Sequence, residues 1–137
     1  MNANPSPEEI RALLRAVKTI TVVGFSPDPE RPSHHVSEEM QARGYRIIPI
    51  RPQLAEALGE KAYGSLRALP FVPDLVDVFR APDAVDAIVD DCIAIGAKRL
   101  WLQESVVNEP AAQRARAAGI AVVMDRCIWK DWQALKP

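Results

Sequence analysis

The chain has 137 residues, a net charge of −1 and an apolar fraction of 48%. That size fits a single domain, residues 1–137, with one sizeable core, and the near-neutral charge argues against a nucleic-acid or anionic-membrane partner. No apolar run is long enough to span a bilayer, the polar residues 1–6 lack the apolar stretch of a signal peptide, and two cysteines without metal-ligand spacing fit a reduced cytoplasmic setting.

Ser6-Pro7-Glu8-Glu9 opens the first helix. Ser6 suits the cap, Pro7 the first helical position, and Glu9 completes a capping box. Ile10, Leu13, Leu14 and Val17 follow at helical spacing. Ile20-Thr21-Val22-Val23 then reads as a buried strand ending at Gly24. A helix starting near Ser33 and running over 36–43 ends at Gly44, before a strand over 45–50. Residues 51–73 are less regular. Leu54, Leu58, Leu66 and Leu69 suggest helical pieces around Gly59 and Gly64, with a short edge strand near 61–63. Leu75-Val76-Asp77-Val78-Phe79 is a further strand, followed by a helix starting near Pro82. A helix over 84–95 ends at Gly96 before a strand over 99–102, and one over 111–118 ends at Gly119 before a strand over 120–124. Trp129-Lys130-Asp131-Trp132 begins a last short helix. Three helices thus stop at a glycine, which takes the left-handed conformation at no steric cost. Strands alternating with helices imply right-handed crossovers, hence a mostly parallel sheet of five or six strands with helices on both faces.

In such a sheet a ligand sits outside the carboxyl ends of the strands, at the point where strand order reverses. Here that crevice falls between the strand ending at Gly24 and the strand ending at Phe79. The loop after Gly24 carries Ser26, Arg31 and Ser33 before a helix N-terminus, a ready anion site. The loop lacks the Gly-x-Gly-x-x-Gly fingerprint, and an ordinary strand-to-helix connection is an equal reading of it alone. At the second strand end, NAD-binding domains carry an acid for the ribose hydroxyls, whereas this chain has Arg51-Pro52. An arginine there fits a phosphorylated ribose, the 2′-phosphate of NADP or the 3′-phosphate of coenzyme A, or is a solvated surface group.

No nucleophile–base–orienter set stands out. His34 and His35 point about 100° apart on a helix and fit solvent-facing or loop-supporting roles. Glu104 follows a strand end without an evident partner. Cys92 lies on a core stripe with Val85, Ile88 and Val89. Cys127 sits beside Arg126, which could lower its pKa, although a packed, inert thiol is the better reading. Trp101 reads as core, and Trp129 and Trp132 as packing or interface.

Taken together, VVGFSPDPERPSHHV (22–36), GYRIIPIRP (44–52), LGEKAYGSL (58–66), DLVDVFR (74–80), IAIGAKRLWLQ (93–103) and VVMDRC (122–127) cover nearly the whole chain. They resemble the small CoA-binding proteins of bacteria and archaea, whose domain is similar to the N-terminal domain of the succinyl-CoA synthetase α subunit. The resemblance implies a Rossmann-like three-layer sandwich with CoA across the carboxyl ends of the strands. Gly24, Phe25, Ser26, Arg31 and Ser33 would hold the pyrophosphate. Arg51 and Pro52 would lie by the adenosine ribose and its phosphate. Val78, Phe79 and Arg80 would flank the adenine or the chain beyond it, and Gln103 and Glu104 would line the crevice near the pantetheine arm. Two features depart from the family: Arg51 stands where asparagine is frequent, and Glu104-Ser105-Val106 follow Trp-Leu-Gln where many members have glycine. In the synthetase a phosphohistidine domain and a second subunit do the chemistry. Neither is expected here, which favours a CoA or acyl-CoA binding protein over an enzyme. It would work with an acyl-CoA enzyme or as a homo-oligomer. An NADP-dependent reductase and an interaction module with a vestigial crevice are the alternatives.

Overall fold

The computed structural model describes residues 4–137; the first half of the polar 1–6 stretch lies outside the described residues. Among the described residues there are five α-helices and seven strands. The helices are α1 (Pro7–Ala16), α2 (Pro32–Ala42), α3 (Val85–Ile95), α4 (Glu109–Ala117) and α5 (Ile128–Leu135). The strands are β1 (Thr19–Val23), β2 (Arg46–Ile50), β3 (Glu56–Ala57), β4 (Glu60–Lys61), β5 (Leu75–Val78), β6 (Arg99–Leu102) and β7 (Ala121–Val123). Five of them form one sheet in the order β2-β1-β5-β6-β7, with every neighbouring pair parallel. The chain leaves β1 toward β2 and returns to pair β5 on the other side of β1, so strand order reverses between β1 and β5. This is the three-layer α/β architecture expected from the alternation of elements, with five strands.

The interior strands read as continuous apolar runs because both faces are covered. Alternation along each strand divides the core. On one face Ile20, Val22, Ile47, Leu75 and Trp101 pack against α1, α2 and α5 through Leu14, Met40 and Ile128. On the other, Val23, Val76, Val78, Leu100 and Leu102 pack against α3 and α4. Helix α4 presents the fully buried Ala111, Ala112 and Ala115, small enough for α3 and the sheet to approach closely.

Local signals explain most of the boundaries. Ser6 and Glu9 form the reciprocal capping box at α1. Gly96 ends α3 in the left-handed conformation, with φ of 78°. Helix α2 starts at Pro32, within one residue of the expected start near Ser33, because Pro32 presets the first helical turn. A single turn of 3₁₀ helix, Pro82–Ala84, precedes α3, and α4 begins at Glu109 where Asn108 caps it.

The 51–73 segment corrects the sequence reading. The leucines there do not mark helical pieces around Gly59 and Gly64. Residues 56–61 form a small antiparallel hairpin, and only Leu66–Ala68 make a turn of 3₁₀ helix. Leu54 and Leu58 pack into the core under α2, while Leu66 and Leu69 pack on the α3 face. Their spacing therefore comes from two different cores. The hairpin is tied down by the Arg46–Glu60 pair at 2.7 and 2.8 Å and by the Gln41 amide donating to the Leu58 carbonyl. The short edge strand expected near 61–63 is present in part: β4 ends at Lys61, and Tyr63 makes a parallel bridge to Ile50 at the edge strand β2.

Candidate functional site

The site grows from the ends of β1 and β5. The Phe79 N–H donates to the Val23 carbonyl at 2.9 Å, which brings the two strand ends together just past the sheet. Gly24 adopts φ of 84°, and a Cβ there would lie 2.3 Å from the Phe79 carbonyl oxygen and 2.8 Å from Cδ of Arg80. Only glycine fits both the backbone conformation and the space. The chain then turns into the 25–31 loop and α2.

That loop is built on its own hydrogen bonds. Ser33 Oγ accepts the Ser26 N–H at 2.9 Å, Ser26 Oγ accepts the Asp28 N–H, and Asp28 accepts the Glu30 N–H. His34 Nδ1 donates to the Ser26 carbonyl at 2.8 Å, and its ring packs against Phe25. This is the loop-supporting role open to His34 from sequence; its Nε2 lies 3.4 Å from Glu38. Phe25 is fully buried beneath the loop, with its ring in the core beside α2, and lines neither of the two cavities above the strand ends. Its carbonyl accepts from Arg51 Nη1 at 3.2 Å, which ties the end of β2 to the first loop. That bond is what this chain gains by carrying arginine at position 51.

A cavity of 860 Å³ lies over these strand ends, lined by Gly24, Ser26, Arg31, Ser33, Arg51, Phe79, Arg80, Gln103 and Glu104. Nine of the twelve sequence-expected residues thus meet at one crevice, between β1 and β5 as the topology requires. A second cavity of 720 Å³ lies toward α3 and shares Gly24, Arg51 and Arg80 with the first. Pro52 lines that second cavity. Val78 lines neither: it is fully buried and points into the core under α3.

The far wall holds residues that the sequence reading did not assign to the site: His35, Cys127, Trp129 and Lys130. His35 comes from the first turn of α2, and Cys127, Trp129 and Lys130 arrive because α5 follows the last strand and packs back beside the crevice. Glu104, expected to stand without a partner, is paired with Lys130 at 3.1 and 3.0 Å. That bond raises the Lys130 ammonium above its ordinary value. Arg126 gives both arms of its guanidinium to Asp131 at 2.7 Å, so it is committed to that carboxylate and not to the neighbouring thiol. Cys127 is a free, buried thiol on the crevice wall. Cys92 is a core residue, as its stripe predicts, and burial pushes its thiol up to about 12.

After β6 the chain turns sharply. Ser105 takes φ of 70°, in the left-handed region, and its N–H donates to Asp125 at 2.7 Å. Trp101 Nε1 donates to the Arg126 carbonyl at 2.8 Å. These bonds fix the course of the Glu104-Ser105-Val106 loop.

Under the crevice lies a residue that the sequence reading passed over as a strand position. Asp77 is only 2% exposed, on the central strand β5. Its Oδ1 accepts from Gln103 Nε2 at 2.5 Å. Burial pushes its carboxyl from 3.8 up to about 7, against the pull of the Gln103 and Val78 hydrogen bonds. The signal was present: a lone carboxylate within an apolar buried strand. Among the described residues no cluster of three His, Cys, Asp or Glu side chains could hold a metal ion, and no helix is long and apolar enough to cross a membrane.

Residues 18–133 match the model of the CoA binding domain family. The chain is 42% identical over 125 residues to the Bacillus subtilis (strain 168) protein YneT, covering 91% of this chain and 93% of that one. A solved structure of a protein designated cell-free ID.343, from Thermus thermophilus, superposes with a TM-score of 0.90 at 36% identity, covering 96% of this chain and 99% of that one. The apo dinucleotide-forming acetyl-coenzyme A synthetase 1 of Ca. Korarchaeum cryptofilum shares the fold. Its TM-score is 0.68 at 24% identity, covering 77% of this chain and 25% of that chain. A crevice at the strand-order reversal, ringed by arginines, thus coincides with a family match over most of the length, and the chain belongs to the CoA binding domain family.

Proposed function

We propose that this chain binds coenzyme A, free or as an acyl thioester, across the carboxyl ends of its parallel strands, and holds it without turning it over. The observation that carries the reading is the convergence of Arg31, Arg51 and Arg80, from three separate loops, around Gly24. Coenzyme A brings a pyrophosphate and a separate 3′-phosphate. Two anionic groups some distance apart call for cations from more than one loop, and the guanidinium fork matches phosphate oxygens. In this reading Ser26, Arg31, Ser33 and the start of α2 take the pyrophosphate, while the backbone at Gly24 approaches it closely. Phe25 acts through its carbonyl, by holding Arg51. Arg51 and Pro52 take the ribose and its phosphate, and Phe79 and Arg80 flank the adenine, with Val78 supporting them from below. The pantetheine arm runs past Gln103 and Glu104. Bound CoA supplies a thiol that carries acyl groups.

The pairing of Glu104 with Lys130, and of Arg126 with Asp131, supports binding without catalysis, because each of these groups is already engaged in an ion pair. A ligand held but not converted is passed on, so an acyl-CoA enzyme or a second copy of the chain is the partner class. Two free, buried thiols support a reducing compartment such as the cytoplasm.

A thermal-shift panel of CoA, acetyl-CoA, NADP and NAD on the wild type and on Arg31→Ala tests this. CoA raises the melting temperature most, by mass action on the native state. Arg31→Ala weakens CoA about tenfold or more, through loss of a charge-assisted bond. The ligand-free melting temperature stays put, because the Arg31 side chain is 72% exposed. A larger shift with NADP overturns the reading in favour of a reductase, and no shift with any ligand favours a vestigial crevice. Saturable release of thiol from acetyl-CoA, lost in Glu104→Gln or Cys127→Ser, makes the protein an enzyme.

A further inference from the structure

The Asp77–Gln103 pair joins the buried centre of the sheet to the crevice floor. Gln103 is 4% exposed, yet it lines the crevice. Its Nε2 is committed to Asp77. Its Oε1 receives no hydrogen bond from any described residue, and it is not among the buried polar atoms left without a partner. That oxygen therefore reaches the crevice. An ionised carboxylate only accepts hydrogen bonds, so it forces the NH₂ end of the amide inward and the carbonyl end outward. We propose that Asp77 is a positioning residue that locks Gln103 with its amide oxygen presented to the crevice, where it accepts an amide N–H of the ligand's pantetheine-type arm. The assignment rests on the CoA reading above. It makes the floor selective for ligands carrying an N–H donor at that point.

The device has a second setting. A protonated Asp77 donates, the Gln103 amide turns over, and the crevice meets an NH₂ in place of an acceptor. Around Asp77 its cross-strand neighbours are Val22 on β1 and Trp101 on β6, both neutral. Burial is the largest cause of its shift, and no charged side chain contributes. The titratable and charged groups of the crevice wall above it are Arg31, His35, Arg51, Arg80, Glu104, Cys127 and Lys130. All of these remain in a variant at position 77, so comparison with that variant isolates Asp77.

The experiment is calorimetric titration with CoA and with adenosine 3′,5′-bisphosphate, which keeps the nucleoside end and lacks the arm. The proteins are the wild type, Asp77→Leu, and the double variant Asp77→Asn with Gln103→Glu. In the double variant the amide introduced at position 77 donates upward to the carboxylate introduced at position 103, which keeps an acceptor oxygen facing the crevice. At pH 8, Asp77→Leu weakens CoA about tenfold, the scale of one well-placed hydrogen bond. It leaves the bisphosphate unchanged, and the double variant recovers most of the loss. In the wild type the preference for CoA over the bisphosphate falls between pH 8 and pH 6, while in Asp77→Leu it is flat. Equal weakening of both ligands, unchanged CoA affinity, or no recovery in the double variant overturns the proposal. Should Asp77→Leu not fold, a wild-type preference independent of pH overturns it and a falling one supports it. Failure of the wild type to bind CoA at all overturns the CoA reading itself, and this positioning role with it.

Discussion

At the residue scale, Asp77 sets the strongest constraint. A carboxylate buried in an apolar strand destabilises the fold whenever it is charged, because desolvation penalises the ion. Its folded-state pKa, about 7, is raised above the ordinary 3.8. The stabilising contribution is therefore fully present below pH 4 and is lost as pH rises through 7. Across that window the group's share of stability falls by on the order of 4 kcal/mol. Denaturant unfolding at pH 5 and pH 8 should show the wild type losing more stability on the alkaline side than Asp77→Leu does. A variant with the wild type's pH dependence would show that another group dominates the titration. The burial of a charge in a position that costs stability fits a residue kept for the crevice above it.

At the element scale, the strand-end loops hold the site and the regular elements hold the loops. Strands β1, β2, β5 and β6 were legible because parallel strands covered on both faces read as short β-branched runs. The helix ends were legible from their glycines and from the Ser6–Glu9 box. The leucines of 51–73 misled because two cores share them, and periodicity cannot tell one apolar stripe from two. Asp77 escaped because a pattern of apolar positions has no place for a lone carboxylate, and Lys130 because α5 read as packing until its return to the crevice was visible. At Ser105 family expectation and local physics both favour glycine, and this chain departs from them. With φ of 70° Ser105 carries a side chain in a conformation that favours glycine. Ser105→Gly should relieve that conformation and stabilise the protein, by about 0.5–1 kcal/mol in thermal or denaturant unfolding. Destabilisation instead would mean that the serine side chain holds the turn.

At the scale of the whole molecule, chain order accounts for the placement of the site. Because β1 pairs β2 on one side and β5 on the other, helices leave the sheet in opposite directions and a gap opens above the strand ends. The two cavities meet at that gap, sharing Gly24, Arg51 and Arg80, so a long ligand can lie across the sheet edge with its phosphates at the shared point. The most direct measurement is a map of backbone amide chemical-shift changes as CoA is titrated into the labelled protein. The account predicts saturable changes concentrated at Gly24, Ser26, Ser33, Arg51, Arg80 and Gln103, with α1 and α4 undisturbed. Changes centred on α1 or α4, or none at saturating CoA, would contradict it.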